Sequence, residues 1–215
     1  MMKYKLIIFD WDGTLMDSID KIVLCMQQAA MQQRQIIPSE QAVKNIIGLS
    51  LLNAVKILFP TLSVKQQQAL VESYRDQYHQ SQHIDTPLYA GIVRLLNSLK
   101  TQGYILAVAT GKGRKGLDTM LKKSNTGALF SATICADEAH SKPDPLMINS
   151  LLEKLHIDAS QALMVGDSSY DLEMARNAKV DRLGVSYGVH DIKTLASFDP
   201  IAIVDCLATE LPHYI

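Results

Sequence analysis

The sequence predicts an α/β fold, a three-layer Rossmann-like core with a parallel sheet plus an inserted small α-helical domain. Three short apolar runs predict buried strands, and each ends in a polar side chain: Tyr4 to Asp10, Tyr104 to Thr110 and Ala162 to Asp167. Helical patterns lie between these runs, and strands that alternate with helices favour a parallel sheet covered on both faces. Because ligands bind outside the carboxyl ends of such strands, we expect the three polar side chains to share a site.

Weaker apolar runs over 132–137, 182–187 and 201–205 predict three further strands. Apolar residues from Leu146 to Leu155 recur at helical spacing ahead of the third strong strand. Asp144 is typical of the N-cap of that helix, and Pro145 of its first helical residue.

The long stretch from about Ile19 to about Gln82 shows helical spacing and no strand pattern. Ser39 is a plausible N-cap, and Ser63 with Gln66 forms a capping-box pattern. Such a segment is too long for a structureless loop, so it predicts a helical domain inserted after the first strand. We assign residues 18–83 to this insert and residues 1–17 and 84–215 to the catalytic core.

The overall composition excludes several classes of function. The 215 residues carry 21 basic and 22 acidic side chains, a formal net charge of −1, so nucleic-acid or membrane-surface binding is not expected. Three widely separated cysteines without a CxxC pair indicate neither zinc nor a disulfide framework. Reduced thiols, and an N-terminal apolar run too short for a signal peptide or membrane span, favour a cytoplasmic protein, most simply a monomer.

The segment Asp10-Trp11-Asp12-Gly13-Thr14 places two carboxylates one residue apart just past a strand. Like charges so close are costly unless a cation binds them or one is protonated. Mg²⁺ prefers such hard oxygen ligands, and Gly13 permits a tight turn beside a ligand. The simpler interpretation is an Asp-Gly turn that only ends the strand.

Two further segments offer matching chemistry. One of them follows the third strong strand and reads Gly166-Asp167-Ser168-Ser169-Tyr170-Asp171. Its two carboxylates could complete a magnesium site. The simpler interpretation is an ordinary N-cap, because aspartate is common at a helix start. Lys142-Pro143 holds a cation ahead of a helix, where it could neutralise phosphate or carboxylate charge, although most lysines are ordinary surface residues.

In this order, the segments resemble the four motifs of the haloacid dehalogenase superfamily. DxDGT is Asp10 to Thr14, the strand-end Thr is Thr110, the Lys-Pro motif begins at Lys142, and GDxxxD is Gly166 to Asp171. The helical insert is similar to the cap of the phosphoglycolate-phosphatase-like subfamily, as is the continuation Leu15-Met16-Asp17-Ser18.

This resemblance implies a Mg²⁺-dependent phosphatase acting on a small phosphomonoester. Asp10 would attack phosphorus and form an aspartyl-phosphate. Asp12 would protonate the leaving oxygen and later activate water, and its backbone carbonyl would bind the metal. The Asp10 and Asp167 carboxylates would bind the metal beside that carbonyl, and Asp171 would support it directly or through water.

The same resemblance implies that Thr110, Lys142 and the backbone around Gly13 and Gly111 bind the phosphoryl group. Asp12 favours phosphate ester cleavage, because the dehalogenases of the superfamily lack an aspartate there. Gly111 stands where many relatives carry asparagine, which could leave one substrate contact missing. Lys112 and Gly48 are possible substrate contacts, and the other insert residues that could reach a substrate are Lys44, Leu49, Ser50 and Arg75.

Alternatives remain open at this point. Gly111 to Gly116 matches GxGxxG after a strand, with Asp137 about twenty residues on, as in a dinucleotide-binding oxidoreductase. A sugar phosphomutase would use the same aspartates, and a non-catalytic binding module could keep the fold. Phosphoglycolate, sugar phosphates and nucleotides are all candidate substrates.

Overall fold

The computed structural model describes residues 3–215, which form a six-stranded, all-parallel sheet in the order β3-β2-β1-β4-β5-β6. All six predicted strands are present, and their bounds are β1 Leu6–Phe9, β2 Ile105–Ala109, β3 Ala132–Ile134, β4 Ala162–Gly166, β5 Asp181–Val185 and β6 Ala202–Val204. Because β1 lies between β2 and β4, the carboxyl ends of the three strongest predicted strands are neighbours.

Helices cover both faces of the sheet, which confirms the three-layer prediction. Their bounds are α1 Ile19–Gln32, α2 Glu40–Lys44, α3 Leu51–Leu58, α4 Val64–Gln80, α5 Ile92–Thr101, α6 Arg114–Ser124, α7 Leu146–Leu155, α8 Ser169–Asn177, α9 Ile192–Ala196 and α10 Leu207–Glu210. Alternate residues of β1 enter opposite apolar clusters: Ile7 and Phe9 pack on the face covered by α5, and Leu6 and Ile8 on the face covered by α7 and α8.

Helices α1 to α4 form a separate apolar cluster, in which Ile22 and Met26 of α1 pack with Leu70 and Val71 of α4. Between β1 and β2 the described residues contribute no strand to the sheet. The capping box at Ser63 is formed, with reciprocal contacts between Ser63 and Gln66. The helical insert is therefore present, and its limits at 18 and 83 remain a prediction.

One predicted helix boundary is wrong by a residue. Helix α7 begins at Leu146, and Pro145 occupies the N-cap position that was expected for Asp144. The Asp144 Oδ1 atom accepts a hydrogen bond from the Leu146 amide at 2.9 Å, so the side chain satisfies a helix amide from one position earlier.

Two observations bear on the predictions from composition. Within residues 3–215 no helix combines the length and apolarity that a bilayer crossing requires. Cys25, Cys135 and Cys206 are free thiols, as their spacing predicted, and Cys25 and Cys135 are buried.

Candidate active site

The carboxyl edge of the sheet brings the predicted polar residues together. Asp10 follows β1, Thr110 follows β2 and Asp167 follows β4, while Lys142 precedes α7 and Asp171 lies in the first turn of α8. Each of these side chains is at most 2% exposed. Buried polar groups require partners, so their mutual contacts define the site.

Three carboxylates surround one ammonium group. Oxygen atoms of Asp10, Asp167 and Asp171 all lie within 4.8 Å of one another. The Lys142 Nζ atom lies 2.5 Å from Asp10 Oδ1 and 2.6 Å from Asp171 Oδ1. Three carboxylates against one ammonium leave an excess of buried negative charge, which favours binding of a cation or a proton.

The pKa values in the cluster reflect that excess. Burial raises the pKa of Asp10 well above its usual value despite the opposing effect of Lys142, and the Asp171 and Asp167 carboxylates raise it further. Burial, reinforced by Asp171, raises the pKa of Asp167 to about 7. Burial also works against the charged form of Lys142, but Asp10 and Asp171 outweigh it and raise its pKa, so the ammonium stays charged.

Short contacts orient the two later aspartates. Asp167 accepts hydrogen bonds from Thr14 Oγ1 at 2.8 Å and from the Val189 amide at 2.9 Å. Asp171 Oδ2 accepts from the Ser168 hydroxyl at 2.6 Å and from the Ser168 amide at 3.1 Å, within a capping box. The N-cap of α8 is Ser168, so Asp171 is not the N-cap but the N3 partner in the capping box, and its Oδ1 atom contacts Lys142.

Gly13 is needed for the approach of the first motif to Asp167. Its φ is +85°, and a Cβ atom there would lie 2.3 Å from Asp167 Oδ2. Only glycine provides both the left-handed backbone and the space, so the Gly13 backbone lies directly against the Asp167 side chain.

Asp12 lies outside the three-carboxylate cluster, with its side chain held by two other groups. Its Oδ2 atom forms an ion pair with Lys112 Nζ at 3.0 Å, and its Oδ1 atom accepts from the Ser18 hydroxyl at 2.6 Å. Lys112, predicted as a substrate contact, is therefore brought beside Asp12. The predicted metal contact of Asp12 uses its backbone carbonyl and stays a prediction.

The loop between α2 and α3 of the insert covers this edge of the sheet. A Cβ atom on Gly111 would lie 2.5 Å from the Gly48 carbonyl oxygen and 2.6 Å from that of Leu49. The Ser50 amide donates to Ser141 Oγ at 2.9 Å, which fixes the loop to the segment that carries Lys142. The space for a side chain at position 111 is filled by this loop, so glycine is required here for packing.

The remaining predicted residues divide into two groups. Thr110 is in place, and its Oγ1 atom accepts from the Lys112 amide at 3.1 Å. Lys44 and Arg75 instead form ion pairs with Glu40 and Glu72 of their own helices, so the structure does not bring them to the carboxylates.

The GxGxxG segment joins β2 to α6, as a dinucleotide motif would, but its helix N-terminus is already occupied. Asp137 accepts from the Arg114 amide through both carboxylate oxygens, at 2.9 and 3.2 Å. The insert loop contacts Gly111. A protein carboxylate thus stands where a dinucleotide phosphate would bind.

The segment after β5 also contributes to the site, which the motifs in the sequence did not predict. The Val189 amide of this segment donates to Asp167, and Gly188 lies so close to Asp167 that a Cβ atom on it would be 2.1 Å from the Asp167 Cβ. The Tyr187 hydroxyl donates to the Thr14 carbonyl at 2.8 Å. The signal was available, because the carboxyl end of β5 belongs to the same sheet edge as the other site residues.

A parallel α/β core with buried aspartates at adjacent strand ends, covered by a helical insert, is the architecture of a class of hydrolases. The chain belongs within it to the haloacid dehalogenase-like hydrolase family, which matches residues 7–185. The recognised resemblance is therefore confirmed, and the chain is a hydrolase of the phosphatase type.

Individual relatives agree with this assignment. The phosphoglycolate phosphatase of Vibrio cholerae is 32% identical, over 98% of this chain and 97% of the relative. Pyrophosphatase PpaX of Bacillus velezensis is 28% identical, over 90% of this chain and 88% of the relative. A crystal structure of a predicted phosphoglycolate phosphatase from Haemophilus somnus superposes with a TM-score of 0.90 at 28% identity, over the full length of both chains.

Proposed function

We propose that this protein is a Mg²⁺-dependent phosphatase that hydrolyses a small phosphomonoester through an aspartyl-phosphate on Asp10. The observation that carries the proposal is the cluster of three buried carboxylates, with oxygens within 4.8 Å of one another, around Lys142. Membership of a family whose curated relatives are named phosphatases supports the reaction type.

The donor set of the cluster fits a magnesium ion. It consists of hard carboxylate oxygens, and burial together with the neighbouring carboxylates raises the pKa values of Asp10 and Asp167. Asp10, Asp167 and Asp171, with the Asp12 backbone carbonyl, would hold the ion. When bound, Mg²⁺ supplies positive charge that neutralises the phosphoryl oxygens and keeps the carboxylates ionised.

The protein residues would carry the reaction in two steps. A carboxylate oxygen of Asp10 attacks phosphorus, and the bond from phosphorus to the ester oxygen breaks. Asp12, which enters this step protonated and thus released from its ion pair with Lys112, gives its proton to the departing alcohol. Asp12 then takes a proton from water, whose oxygen attacks the phosphorus of the aspartyl-phosphate and releases inorganic phosphate and free Asp10. Charge neutralisation by Lys142 favours both transition states.

The backbone and the insert would provide binding and exclusion of water. The Thr110 hydroxyl, Lys142 and the backbone at Gly13 and Gly111 bind the phosphoryl oxygens. Because Asp10 is only 2% exposed beneath the insert loop, substrate entry requires the loop at Gly48 to move away and then close again. The names of the relatives favour a phosphoglycolate-like substrate over the open alternatives of sugar phosphates and nucleotides.

A panel of phosphomonoesters assayed with and without Mg²⁺ tests the proposal. We expect phosphate release only with the ion present, and loss of release in Asp10→Asn but not in the matched variant Asp158→Asn, whose carboxylate lies on the exposed surface. Release by Asp10→Asn at the wild-type rate would contradict the mechanism. Transfer of phosphate to a second sugar phosphate in place of water would identify a phosphomutase.

A further inference from the structure

Lys21 is a buried lysine with no assigned task. It lies on α1 of the insert and is 6% exposed. Its Nζ atom lies 4.5 Å from the ring centroid of Tyr78, and it has no ion-pair or hydrogen-bond partner among residues 3–215. A buried ammonium whose near contact is the face of an aromatic ring keeps its N–H donors available for a ligand.

Tyr78, on α4, presents a second unsatisfied group at the same place. Its Oη atom is sealed from solvent and is the one buried side-chain polar atom in the described part of the chain without a hydrogen-bond partner. Burial raises the pKa of Tyr78, so the hydroxyl stays protonated and can donate. The Lys21 ammonium and this hydroxyl therefore meet at one aromatic side chain, each with a donor available.

Lys112 joins these two groups to the reaction centre. Its Nζ atom lies 4.9 Å from the Tyr78 ring centroid and forms an ion pair with Asp12. Two ammonium groups thus share one aromatic ring and only one carboxylate between them. Burial lowers the pKa of Lys21, Cys25 and Asp85 oppose this change in part, and the nearby charges of Lys123 and Lys112 lower the pKa further.

The position of this cluster determines which part of a substrate can reach it. In the proposed mechanism the phosphoryl group lies at Asp10, and Asp12 contacts the oxygen of the leaving group. Lys112 contacts both Asp12 and the Tyr78 ring, and Lys21 contacts the same ring, so a leaving group that extends from Asp12 along Lys112 would reach all three side chains. The cluster therefore faces the leaving group.

We propose that Lys21, Lys112 and Tyr78 form a subsite for a second anionic group, a carboxylate or a phosphate, carried by the leaving group of the substrate. The proposal rests on the proposed phosphatase function and narrows it to a substrate class. Esters of neutral alcohols lack the counterion that this cluster needs, so they bind less well.

Three probes of similar size separate the possibilities. 2-Phosphoglycolate carries a carboxylate on a two-carbon leaving group, 2-hydroxyethyl phosphate carries a neutral hydroxyl in its place, and pyrophosphate carries a second phosphate. We expect kcat/KM of the wild type to be about tenfold or more higher for at least one anionic probe than for 2-hydroxyethyl phosphate, as a charge-assisted contact provides.

The variant Lys21→Met tests the residue most specific to the subsite. It should reduce the preference for the anionic probe over 2-hydroxyethyl phosphate about tenfold, and Tyr78→Phe should reduce it a few-fold. The melting temperature of Lys21→Met should stay level or rise, because an unpaired buried charge is removed, whereas a lysine needed only for folding would lower it. Lys65→Met, an exposed lysine of α4, should leave the preference as in the wild type.

Different outcomes of these assays would contradict the subsite and the proposed phosphatase function. If none of the three probes yields phosphate in a Mg²⁺-dependent reaction, the proposed phosphatase function itself is contradicted. Release without an anionic preference, or a preference that survives in Lys21→Met, overturns the subsite alone. A preference confined to 2-phosphoglycolate or to pyrophosphate supports the subsite and assigns it to a carboxylate or a phosphate.

Discussion

Replacement of Lys142 with methionine removes the one ammonium that contacts both Asp10 and Asp171. The side chain is fully buried, and its Nζ atom lies 2.5 and 2.6 Å from the two carboxylates. Methionine fills a similar volume, so the main loss is charge neutralisation among three buried carboxylates. Removal of one partner of a buried ion pair costs about 3–5 kcal/mol, and we expect a loss of that size from the free energy of unfolding at pH 7 to 8.

Urea and thermal unfolding of metal-free protein measure this loss, which corresponds to a fall of about 10 °C in melting temperature for a chain of this length. Lys154→Met, an exposed lysine of α7, should change the free energy of unfolding by less than about 0.5 kcal/mol. Lower pH should reduce the difference in free energy of unfolding between the wild type and Lys142→Met, because protons then neutralise the carboxylates. A Lys142→Met protein as stable as the wild type at pH 8 would refute the reasoning.

Three further outcomes are expected. Asp10→Asn should lower kcat by about 10³-fold or more without lowering the melting temperature, because the shape is kept and one like charge is removed; an active variant or an unfolded one would argue against a nucleophile. The pKa of Asp167 is raised to about 7 in the folded protein, so metal-free protein should lose stability as the pH rises from about 4 to about 7. The increase in melting temperature caused by Mg²⁺ should therefore grow over pH 5 to 8. An increase that does not depend on pH would contradict the cluster as the metal site. Gly111→Ala should lower kcat/KM about tenfold, because its Cβ would lie 2.5 Å from the Gly48 carbonyl, whereas Gly127→Ala, where the nearest atom is 3.7 Å away, should behave as wild type in the same steady-state assay.

The elements that the sequence predicted are those determined by local patterns. Each strand is a short apolar run, and the capping box at Ser63 needs only residues three apart, so neither depends on the rest of the fold. The convergence of Asp10, Asp167 and Thr110 was predictable for a different reason. Parallel strands share a carboxyl edge, so residues far apart in sequence can be placed together once the strands are identified.

The contacts that the sequence did not predict are set by how distant segments of the chain pack together. The ion pair of Lys112 with Asp12 spans 100 positions, and the approach of the Gly48 loop to Gly111 depends on how the insert packs. Neither contact has a periodic pattern or a motif. The sequence indicated that glycine at position 111 could leave a substrate contact missing. In the structure, the insert loop fills the space that a side chain at this position would occupy.

A crystal structure of the protein with Mg²⁺ and beryllium trifluoride, which mimics a phosphoryl group on a carboxylate, tests the central claim most directly. We expect the fluoride adduct on an Asp10 oxygen and the metal ion held between Asp10 and Asp167, with Lys142 in contact with the adduct. A metal ion bound away from these carboxylates, or an adduct on any other residue, would contradict it.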